Sequence, residues 1–299
     1  MVIKRESRFN YTFFFLALIS VLFLTVVVLT SRLLSLEQNV RTEYIVLNRD
    51  SSKGVVYDKP HRLAVLVPFR DRFEELLVFA PYISNFLNDQ HINHDIFILN
   101  QVDGYRFNRA SLINVGYLFT KADYDYVAMH DVDLLPLNKN LSYDYPKEQP
   151  FHVAAPHLHP RYHYSKFVGG ILLVKREHFQ LVNGMSNKYW GWGLEDDEFY
   201  VRLRDAHLNV TRPTNILTGM NDTFKHIHDK NHRKRDTVKC FNQREVTRKR
   251  DRHTGLHDVK YKILAVHNLT VDSTPVTVVN IQLTCDKAVT PWCDCSDKK

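Results

Sequence analysis

Residues 63–67 read LAVLV, and Pro68 follows them directly. A short apolar run that ends at a turn residue is typical of a strand buried on both faces of a parallel sheet. In the next stretch, residues 73–87, apolar side chains recur at helical spacing. Residues 63–67 therefore predict the first strand of an α/β domain, followed by a helix that packs on the sheet.

The same alternation continues along the chain. A second strand is predicted at residues 95–99 (DIFIL), a helix at 108–119, and a third strand at 124–129 (YDYVAM). Alternating strands and helices predict a largely parallel α/β sheet, and such sheets bind ligands beyond the carboxyl ends of their strands. Three polar segments are expected at that edge: residues 69–72 (FRDR), 102–103 (VD) and 130–133 (HDVD).

Two aspartates close the third predicted strand. In an extended chain Asp131 and Asp133 project to the same side, with Val132 between them. A pair of carboxylates is a hard-oxygen site that suits Mg²⁺ or Mn²⁺. The pattern therefore predicts a divalent-metal site at the end of the strand.

Histidines with the same spacing supply a second set of candidate ligands. His226 and His228 flank Ile227, and imidazole combined with carboxylate favours Mn²⁺ over Mg²⁺. His157 and His159, with His163 nearby, have the same spacing. Spacing does not choose between the two pairs.

Residues 190–199, WGWGLEDDEF, join two indoles and two glycines to four consecutive acidic residues. The acidic run alone fits the first turn of an ordinary helix. With the preceding Trp and Gly residues it favours a pocket in which exposed indoles stack on a flat polar ring and a carboxylate offers a base. Such crowding predicts a raised pKa for at least one of the four carboxyl groups.

The N-terminal region predicts a membrane anchor. No charged residue lies between Arg8 and Arg32, and about 20 apolar residues suffice to cross a bilayer core of about 30 Å. We expect a cytosolic tail at 1–8, a transmembrane helix at 9–31, a stem at 32–60 and a lumenal domain at 61–299, because basic residues precede the span. A cleaved signal peptide is the alternative, but no small-residue cleavage pattern precedes Arg32.

Two further features agree with a lumenal address. N-glycosylation sequons begin at four asparagines: Asn140, Asn209, Asn221 and Asn268. Four cysteines in the C-terminal third allow two disulfides with three connectivities: Cys240, Cys285, Cys293 and Cys295. The last two are too close to pair with each other, so each should reach back to one of the first two. A zinc site is the alternative, although C-x-C is not its usual spacing.

The chain is basic, with a formal charge of +7, and ten Lys or Arg against four acidic residues lie within 229–252. Nucleic acid is not the expected partner of a lumenal domain. The basic run favours an acidic glycan or a proteoglycan core protein, with a solvated loop as the simpler interpretation.

Five segments are informative when taken together: residues 69–72 (FRDR), 107–110 (FNRA), 131–133 (DVD), 168–170 (VGG) and 190–197 (WGWGLEDD). They resemble the β-1,4-galactosyltransferase family over about residues 60–299. The resemblance implies a Golgi-resident, single-span type II protein. It also implies a Rossmann-like nucleotide-sugar-binding domain of the GT-A type, and Mn²⁺ as cofactor.

The resemblance also assigns roles to residues. Asp133 becomes a metal ligand, and Asp196 becomes the catalytic base. Donor-binding residues are implied at Pro68, Phe69, Arg70, Arg72, Asp131, Val132, Trp192 and Glu195. Acceptor-binding residues are implied at Tyr162, Tyr164, Trp192, Gly193, Asp196 and Asp197. For the two tyrosines, core packing is the alternative.

Two departures from the family pattern narrow the expectation. Leu194 stands where most members have Gly, and His226-Ile227-His228 replaces a Met-x-x-His pattern. Both resemble the branch that transfers galactose from UDP-galactose to xylose on proteoglycan core proteins, which favours His226 and His228 as ligands. The alternatives are N-acetylglucosamine as acceptor, transfer of N-acetylgalactosamine, or a membrane-anchored lectin without turnover.

Overall fold

The computed structural model describes residues 19, 22–32, 59–228 and 234–296. The chain divides into two units, Met1–Val55 and Val56–Lys299. In the first unit residues 22–32 are helical, with exposed apolar side chains. Within the described ranges, no helix combines the length and apolar composition that crossing a membrane requires. The expected tail, nearly all of the stem and about half of the expected anchor lie outside the described residues.

The second unit contains nine strands and six α-helices within the described ranges. The strands are β1 Arg62–Phe69, β2 Asn93–Gln101, β3 Tyr126–His130, β4 Leu134–Pro136, β5 Phe151–His152, β6 Ile171–Lys175, β7 Phe224–His226, β8 Tyr261–Val271 and β9 Thr274–Leu283. The helices are α1 Phe73–Asp89, α2 Arg109–Thr120, α3 Arg176–Leu181, α4 Glu195–Asp205, α5 Met220–Thr223 and α6 Gln243–Val246, and a 3₁₀ turn spans Pro291–Cys293. The five elements predicted up to residue 129 are all present, with shifted ends.

Seven strands form one sheet in the order β5-β6-β3-β1-β2-β9-β8, and β4 pairs with β7 in a second, two-stranded sheet. The four central strands, β3-β1-β2-β9, are parallel, whereas β6 with β3, β5 with β6 and β8 with β9 are antiparallel. The prediction of a largely parallel sheet is therefore right for the centre and wrong for both margins.

Strand β1 is central because both of its faces are apolar. Leu63, Val65 and Val67 lie in one hydrophobic cluster, and Ala64 and Leu66 lie in the other. Burying a Leu or Val side chain fully contributes about 1.5–3 kcal/mol, so this strand joins two cores. Helix α1 packs in the first cluster and α2 in the second.

The position of Pro68 had suggested that the first strand ends there, but the strand continues past it. Strand β1 continues to Phe69, with Pro68 opposite Leu99 on β2. Pairing with β3 has already ended at Leu66. A residue without an N–H group is tolerated there because the ladder on one side is complete before it.

Disulfides connect the C-terminal part of the second unit. Cys240 pairs with Cys295 and Cys285 pairs with Cys293, so each of the last two cysteines reaches back as predicted. The bridges enclose the 3₁₀ turn and its buried Trp292. With all four cysteines paired, the zinc alternative is excluded.

Candidate active site

The carboxyl ends of β1 and β2 are joined by one arginine. The Arg70 guanidinium donates to the carbonyl oxygens of Gln101, Asp103 and Tyr105 at 3.2, 2.8 and 2.6 Å. These contacts hold the segment after β2 against the segment after β1. Arg70 thus shapes this edge of the sheet by bonds within the protein.

A second arginine connects the carboxylates of two different elements. Arg109 follows Asn108, whose side chain caps α2 by accepting from Ser111 N at 2.9 Å. The Nε atom of Arg109 donates to Asp131 Oδ1, and its Nη1 atom donates to Asp196 Oδ1, both at 2.9 Å. The guanidinium therefore bridges the end of β3 and the first turn of α4.

The charge on Arg109 is fixed by its surroundings. Burial disfavours the charged form, but Asp131, Asp196 and Glu195 outweigh it and raise the pKa of Arg109. A permanently charged guanidinium at this point lets several carboxylates share a small volume.

Asp196 has the most perturbed carboxyl group of the acidic run that starts α4. Burial raises its pKa to about 8, and Glu195, Asp131 and Asp197 add to that effect while Arg109 opposes it. This confirms the expected raised pKa. A carboxylate whose pKa lies near neutral pH suits a general base.

Two glycines allow Asp196 and the end of β3 to approach one another. A Cβ on Gly169 would collide with the Asp196 carboxylate. Gly170 has φ +76° and accepts from Asp131 N at 2.9 Å, while the ring of the buried His152 contacts Gly169 O at 2.8 Å. The glycine pair at 169–170 is therefore a close-approach turn that only small residues fit.

The two tryptophans of the WGWG stretch have different roles. Trp192 is 44% exposed, whereas Trp190 is 3% exposed and packs edge-on against Tyr105. The expectation of an exposed tryptophan pair is wrong, because Trp190 belongs to the second hydrophobic cluster. Gly191 and Gly193 have φ of +78° and +106°, which turn the chain so that only the second indole faces outward.

Leu194, the departure from the family pattern, has φ +75° and directly precedes α4. A left-handed conformation costs a residue other than glycine about 1–2 kcal/mol. The strain lies at the start of the helix that carries Asp196, where backbone strain commonly marks a functional site.

The candidate metal ligands meet at the small sheet. His226 on β7 pairs with Leu134 on β4, and Ile227 N donates to Asp133 O at 2.9 Å. His226 Nε2 lies 3.9 Å from Asp133 Oδ1, and His228 Nδ1 lies 3.3 Å from Asp133 Oδ2. The pairing of β4 with β7 therefore brings Asp133 close to His226 and His228, which come much later in the chain.

The chemistry of these groups fits a divalent ion. Burial lowers the pKa of His226 to about 3 and also lowers that of His228, which favours the neutral form of each ring, with a lone pair for a metal. His226 Nδ1 is buried and has no hydrogen-bond partner among the described residues. A carboxylate with two neutral imidazoles suits Mn²⁺. In the described ranges, no group of three or more His, Cys, Asp or Glu side chains is arranged so that it could hold a metal ion.

The pair of aspartates does not share one site. The chain turns after β3, with Leu134 N contacting Asp131 O at 3.4 Å, so strand alternation no longer applies. Asp131 is bound by Arg109, whereas Asp133 faces the histidines. Burial and the nearby Asp131 raise the pKa of Asp133 to about 6.

The rival histidine pair is occupied elsewhere. His159 is buried, and its Nδ1 accepts from the backbone N–H of Arg161 and Tyr162 at 3.0 and 3.1 Å. His157 is exposed, and His163 bonds Pro156 O. His159 therefore shapes the turn that presents Tyr162.

Both candidate acceptor tyrosines make polar contacts. Tyr164 is half exposed, and burial, together with the nearby Asp197 carboxylate, raises the pKa of its phenol. The Tyr162 hydroxyl accepts from Arg235 Nη1 at 2.6 Å. These contacts favour a role at a polar site over simple core packing.

Residues 234–240, termed here the basic segment, lie over Trp192. The Arg235 guanidinium is 5.0 Å from the centre of the indole ring, and Lys239 Nζ donates to Trp192 O at 2.9 Å. Trp192 N donates to Asp236 O at 2.9 Å, and Asp236 forms a two-pronged ion pair with Arg106 at 2.6 and 2.9 Å. The segment thus forms one wall of the site.

Comparison with known proteins gives this arrangement a family. Residues 25–146 match the family described as the N-terminal region of glycosyl transferase group 7, and residues 149–229 match the one described as the N-terminal domain of galactosyltransferase. The β-1,4-galactosyltransferase 7 of Drosophila melanogaster is 68% identical over 237 residues, which cover 79% of this chain and 74% of that protein. The chain belongs to the β-1,4-galactosyltransferase family.

Other relatives of this β-1,4-galactosyltransferase agree. The xylosylprotein 4-β-galactosyltransferase of Caenorhabditis elegans is 48% identical and covers 83% of this chain and 89% of its own length. A crystal structure of the Drosophila β-1,4-galactosyltransferase 7, a mutant in complex with manganese, UDP-Gal and xylobiose, matches with a TM-score of 0.78. The sequence of the crystallised protein is 68% identical to this chain. The match covers 79% of this chain and the whole of the crystallised chain. The protein is a glycosyltransferase with a mixed α/β, GT-A-like fold, as predicted.

Not every predicted site residue of this β-1,4-galactosyltransferase is placed to touch a ligand through its side chain. Pro68 and Val132 are buried, and Phe69 packs partly against the first cluster. Arg72 donates to His228 Nδ1 at 3.0 Å and to Glu75 at 3.2 Å, so it belongs to the metal side of the site.

Three residues at the centre of the site were absent from the predicted set: Arg109, Gly169 and Arg235. Arg109 and Gly169 lie in motifs that carried the resemblance, FNRA and VGG, so that signal was available. Arg235 lies within the basic run, which predicted a contact with an acidic acceptor and not the contacts with Tyr162 and Trp192 inside the site.

Proposed function

We propose that this β-1,4-galactosyltransferase transfers galactose from UDP-galactose to the 4-hydroxyl of β-linked xylose, with inversion at the anomeric carbon. One observation carries the proposal: Arg109 holds the raised-pKa carboxylate of Asp196 beside Asp131, within the same edge of the sheet as Asp133 and the two histidines. The substrates follow from the relative that was crystallised with UDP-Gal and xylobiose.

The reaction needs one base. Asp196 accepts the proton of the xylose 4-hydroxyl while that oxygen attacks the anomeric carbon of galactose. The bond from that carbon to the diphosphate breaks, and UDP leaves with the electron pair. A single displacement of this kind inverts the anomeric centre and requires no covalent sugar–enzyme intermediate.

Asp133, His226 and His228 would hold Mn²⁺, the ion in the relative's complex. When bound, the ion would offset the negative charge that develops on the leaving diphosphate. Arg72 and Arg235 add fixed positive charge near Asp133, and this charge lowers the pKa of the Asp133 carboxyl group.

We assign recognition of the two sugars to Glu195 and Trp192. Glu195 Oε2 is buried and makes no hydrogen bond in the described structure, so it can accept from a hydroxyl of the donor galactose. The exposed Trp192 indole offers a flat surface for the xylose ring. Asp197, oriented by Tyr164, adds a carboxylate on the acceptor side.

The natural acceptor would be a xylosylated proteoglycan core protein in the Golgi lumen, reached by a single-pass type II anchor. Two disulfides and four sequons support a lumenal address for the second unit. The exposed Lys234 and the neighbouring basic run would favour an acidic polypeptide around the xylose.

An activity matrix tests the proposal. UDP-galactose and UDP-N-acetylgalactosamine are each offered with a β-xyloside and an N-acetylglucosaminide, with and without Mn²⁺, and product configuration is read by NMR. We expect β-1,4-linked product only from UDP-galactose and the xyloside, and only with the metal. Preferential turnover of the N-acetylglucosaminide would reassign the acceptor, and binding without turnover in every combination would indicate a lectin.

A further inference from the structure

Strand β8 is the outermost strand of the large sheet on the C-terminal side. It runs for eleven residues, Tyr261–Val271, and pairs along its length with β9. No other described strand lies beyond it in the sheet order. A long edge strand presents backbone N–H and C=O groups on which a strand of another molecule can pair.

The two halves of β8 differ in how they discourage such pairing. The first half carries the exposed Lys262 and a register irregularity between Ile263 and Ala265, and both charge and bulges hinder strand addition. The second half, from His267 to Thr270, is exposed at every position and contains no Lys, Arg, Asp or Glu. It also contains Leu269, which is 49% exposed.

The unguarded half coincides with a sequon, Asn268-Leu269-Thr270. Asn268 lies opposite Thr277 on β9, and its side-chain oxygen accepts from the Thr277 hydroxyl at 3.3 Å. That bond uses Oδ1, so it does not occupy the amide nitrogen to which an N-glycan is attached. The exposed side chain is therefore presented in a suitable orientation.

The surroundings of Asn268 are compatible with a bulky group. The hairpin between β8 and β9 turns at Asp272 and Ser273, two residues with positive φ, only a few positions away. Residues 267–270 are all exposed, so a glycan on Asn268 would extend into solvent. The two disulfides of this unit are typical of the oxidising compartments in which N-glycans are added.

We propose that Asn268 is N-glycosylated and that its glycan shields the edge of β8 from pairing with a second copy of this chain. In the modification, Asn268 Nδ2 loses one proton and forms a bond to the anomeric carbon of an activated oligosaccharide diphosphate, whose diphosphate departs with the electron pair. The glycan then supplies the bulk and solubility that charge and a bulge supply in the first half of the strand.

Site occupancy is measured on the full chain made in a host that glycosylates secretory proteins. Enzymatic release of N-glycans in ¹⁸O-labelled water converts a glycosylated asparagine to labelled aspartate, which peptide mass spectrometry detects. We expect the label at Asn268. Both Asn268→Gln and Thr270→Ala should increase the electrophoretic mobility of the chain by the amount that corresponds to one glycan. Thr270→Ala has this effect while Asn268 itself remains in place.

The role of the glycan is measured by chemical cross-linking in membranes and by size-exclusion chromatography of the detergent-solubilised chain. We expect both variants to shift from monomer to dimer or larger species. Adding Leu269→Lys to Asn268→Gln should restore the monomer, because a charge replaces the shield. Asn140→Gln, which removes a sequon outside the sheet, is the matched control and should remain monomeric.

An unlabelled Asn268 peptide beside labelled peptides from the other sequons would overturn the site. Labelled Asn268 with unchanged association in both variants would overturn the shielding role. The inference rests on the proposed lumenal address and not on the proposed reaction. Absence of glycan from all four sequons would therefore count against the address and this inference together, while the activity matrix would still stand.

Discussion

At the scale of single residues, Arg109 explains how several carboxylates can share one pocket. Buried carboxylates repel one another, and a lone carboxylate in such a site would remain protonated. The guanidinium contacts Asp131 and Asp196 at 2.9 Å and so offsets part of that cost. The pKa of Asp196 remains raised, at about 8, which makes it a strong base that is still available near neutral pH.

The raised pKa predicts a particular pH profile. Because Asp196 must be ionised to accept a proton, kcat/KM for an uncharged xyloside should fall as pH drops below about 8. Arg109 lowers that pKa, so Arg109→Gln should move the acidic limb of the profile to higher pH. The profile is measured at saturating Mn²⁺ with the wild-type enzyme and the variant. A limb that stays in place in the variant would contradict the coupling of Arg109 to Asp196.

The histidines provide a second test at this scale. Loss of an outer partner of a metal ligand typically weakens metal binding about 10–100-fold, so His226→Ala and His228→Ala, which remove ligands, should weaken Mn²⁺ binding at least that much. His159→Ala should instead lower the melting temperature, because two backbone N–H groups lose their acceptor at about 1–3 kcal/mol each.

Direct Mn²⁺ titration of the folded proteins, followed by thermal unfolding, separates these outcomes. Normal Mn²⁺ affinity in both ligand variants, with weakened affinity in His159→Ala, would move the metal site to the other pair.

The residue patterns predicted the chemical properties of side chains better than they predicted where those side chains point. The acidic run with a raised pKa was predictable from crowding alone, whereas the burial of Trp190 was not. Each of the two indoles is followed by a glycine, and what separates them is the backbone turn at Gly191. Likewise, Asp131 and Asp133 have different partners because β3 ends at His130, one residue too early for strand alternation to apply.

At the scale of elements, the basic segment 234–240 packs against the candidate acceptor residues. Arg235 contacts Tyr162 and Trp192, while Asp236 is anchored by Arg106. Its C-terminal end is fixed by the Cys240–Cys295 disulfide. The charge of Arg235 thus has a place inside the site, whereas Lys234 is exposed.

This division predicts different effects for two neighbouring cations. Lys234→Ala should raise KM for an acidic xylosylated peptide by up to about fivefold, since an exposed charge contributes about 0–1 kcal/mol. It should leave a small uncharged xyloside unaffected, and the difference should fade as salt rises. Arg235→Ala should lower kcat/KM about tenfold or more on both acceptors, because a charge-assisted hydrogen bond and a ring contact are lost together.

Steady-state kinetics on both acceptors at two salt concentrations decides the matter. Equal losses on both acceptors for Lys234→Ala would mean that this charge supports folding and not recognition. Arg233, which precedes the pair in the basic run, lies outside the described residues.

Several of the elements that sequence patterns missed are short or turn-dependent. Strands β4, β5 and β7 have two or three residues each, too few for a periodicity to register. The β8–β9 hairpin turns at Asp272 and Ser273, which lack the glycine that usually marks a tight hairpin. Buried strands with helices between them, by contrast, were predictable from apolar runs.

At the scale of the whole molecule, the site lies entirely within the second unit, Val56–Lys299. Every residue to which a catalytic or binding role is assigned lies between Pro68 and Lys239. The order of strands and helices up to β3, the edge that carries the site and the family were all predictable from the sequence. The pairing of the distant strands β4 and β7 brings the candidate metal ligands together, and only the resemblance had implied that grouping.

The separation into units predicts that the N-terminal region, where an anchor is expected from the sequence, is dispensable for chemistry. A chain that begins near Gly54 should be soluble and should keep the kcat and KM of the full-length enzyme for free substrates. Circular dichroism and the xyloside assay check this. Failure to fold would show that residues before Gly54 stabilise the second unit.

The central claim is that Asp196 is the base of a galactosyl transfer to xylose, and one variant tests it most directly. Asp196→Asn keeps the shape of the side chain and removes its ability to take a proton, and general-base catalysis contributes about 10²–10⁴-fold, or roughly 3–5 kcal/mol of barrier. The measurement pairs kcat for a β-xyloside with calorimetric binding of UDP-galactose and Mn²⁺. The account predicts that kcat falls by at least about 10²-fold while donor affinity stays within a few-fold of wild type. A kcat within a few-fold of wild type would contradict it.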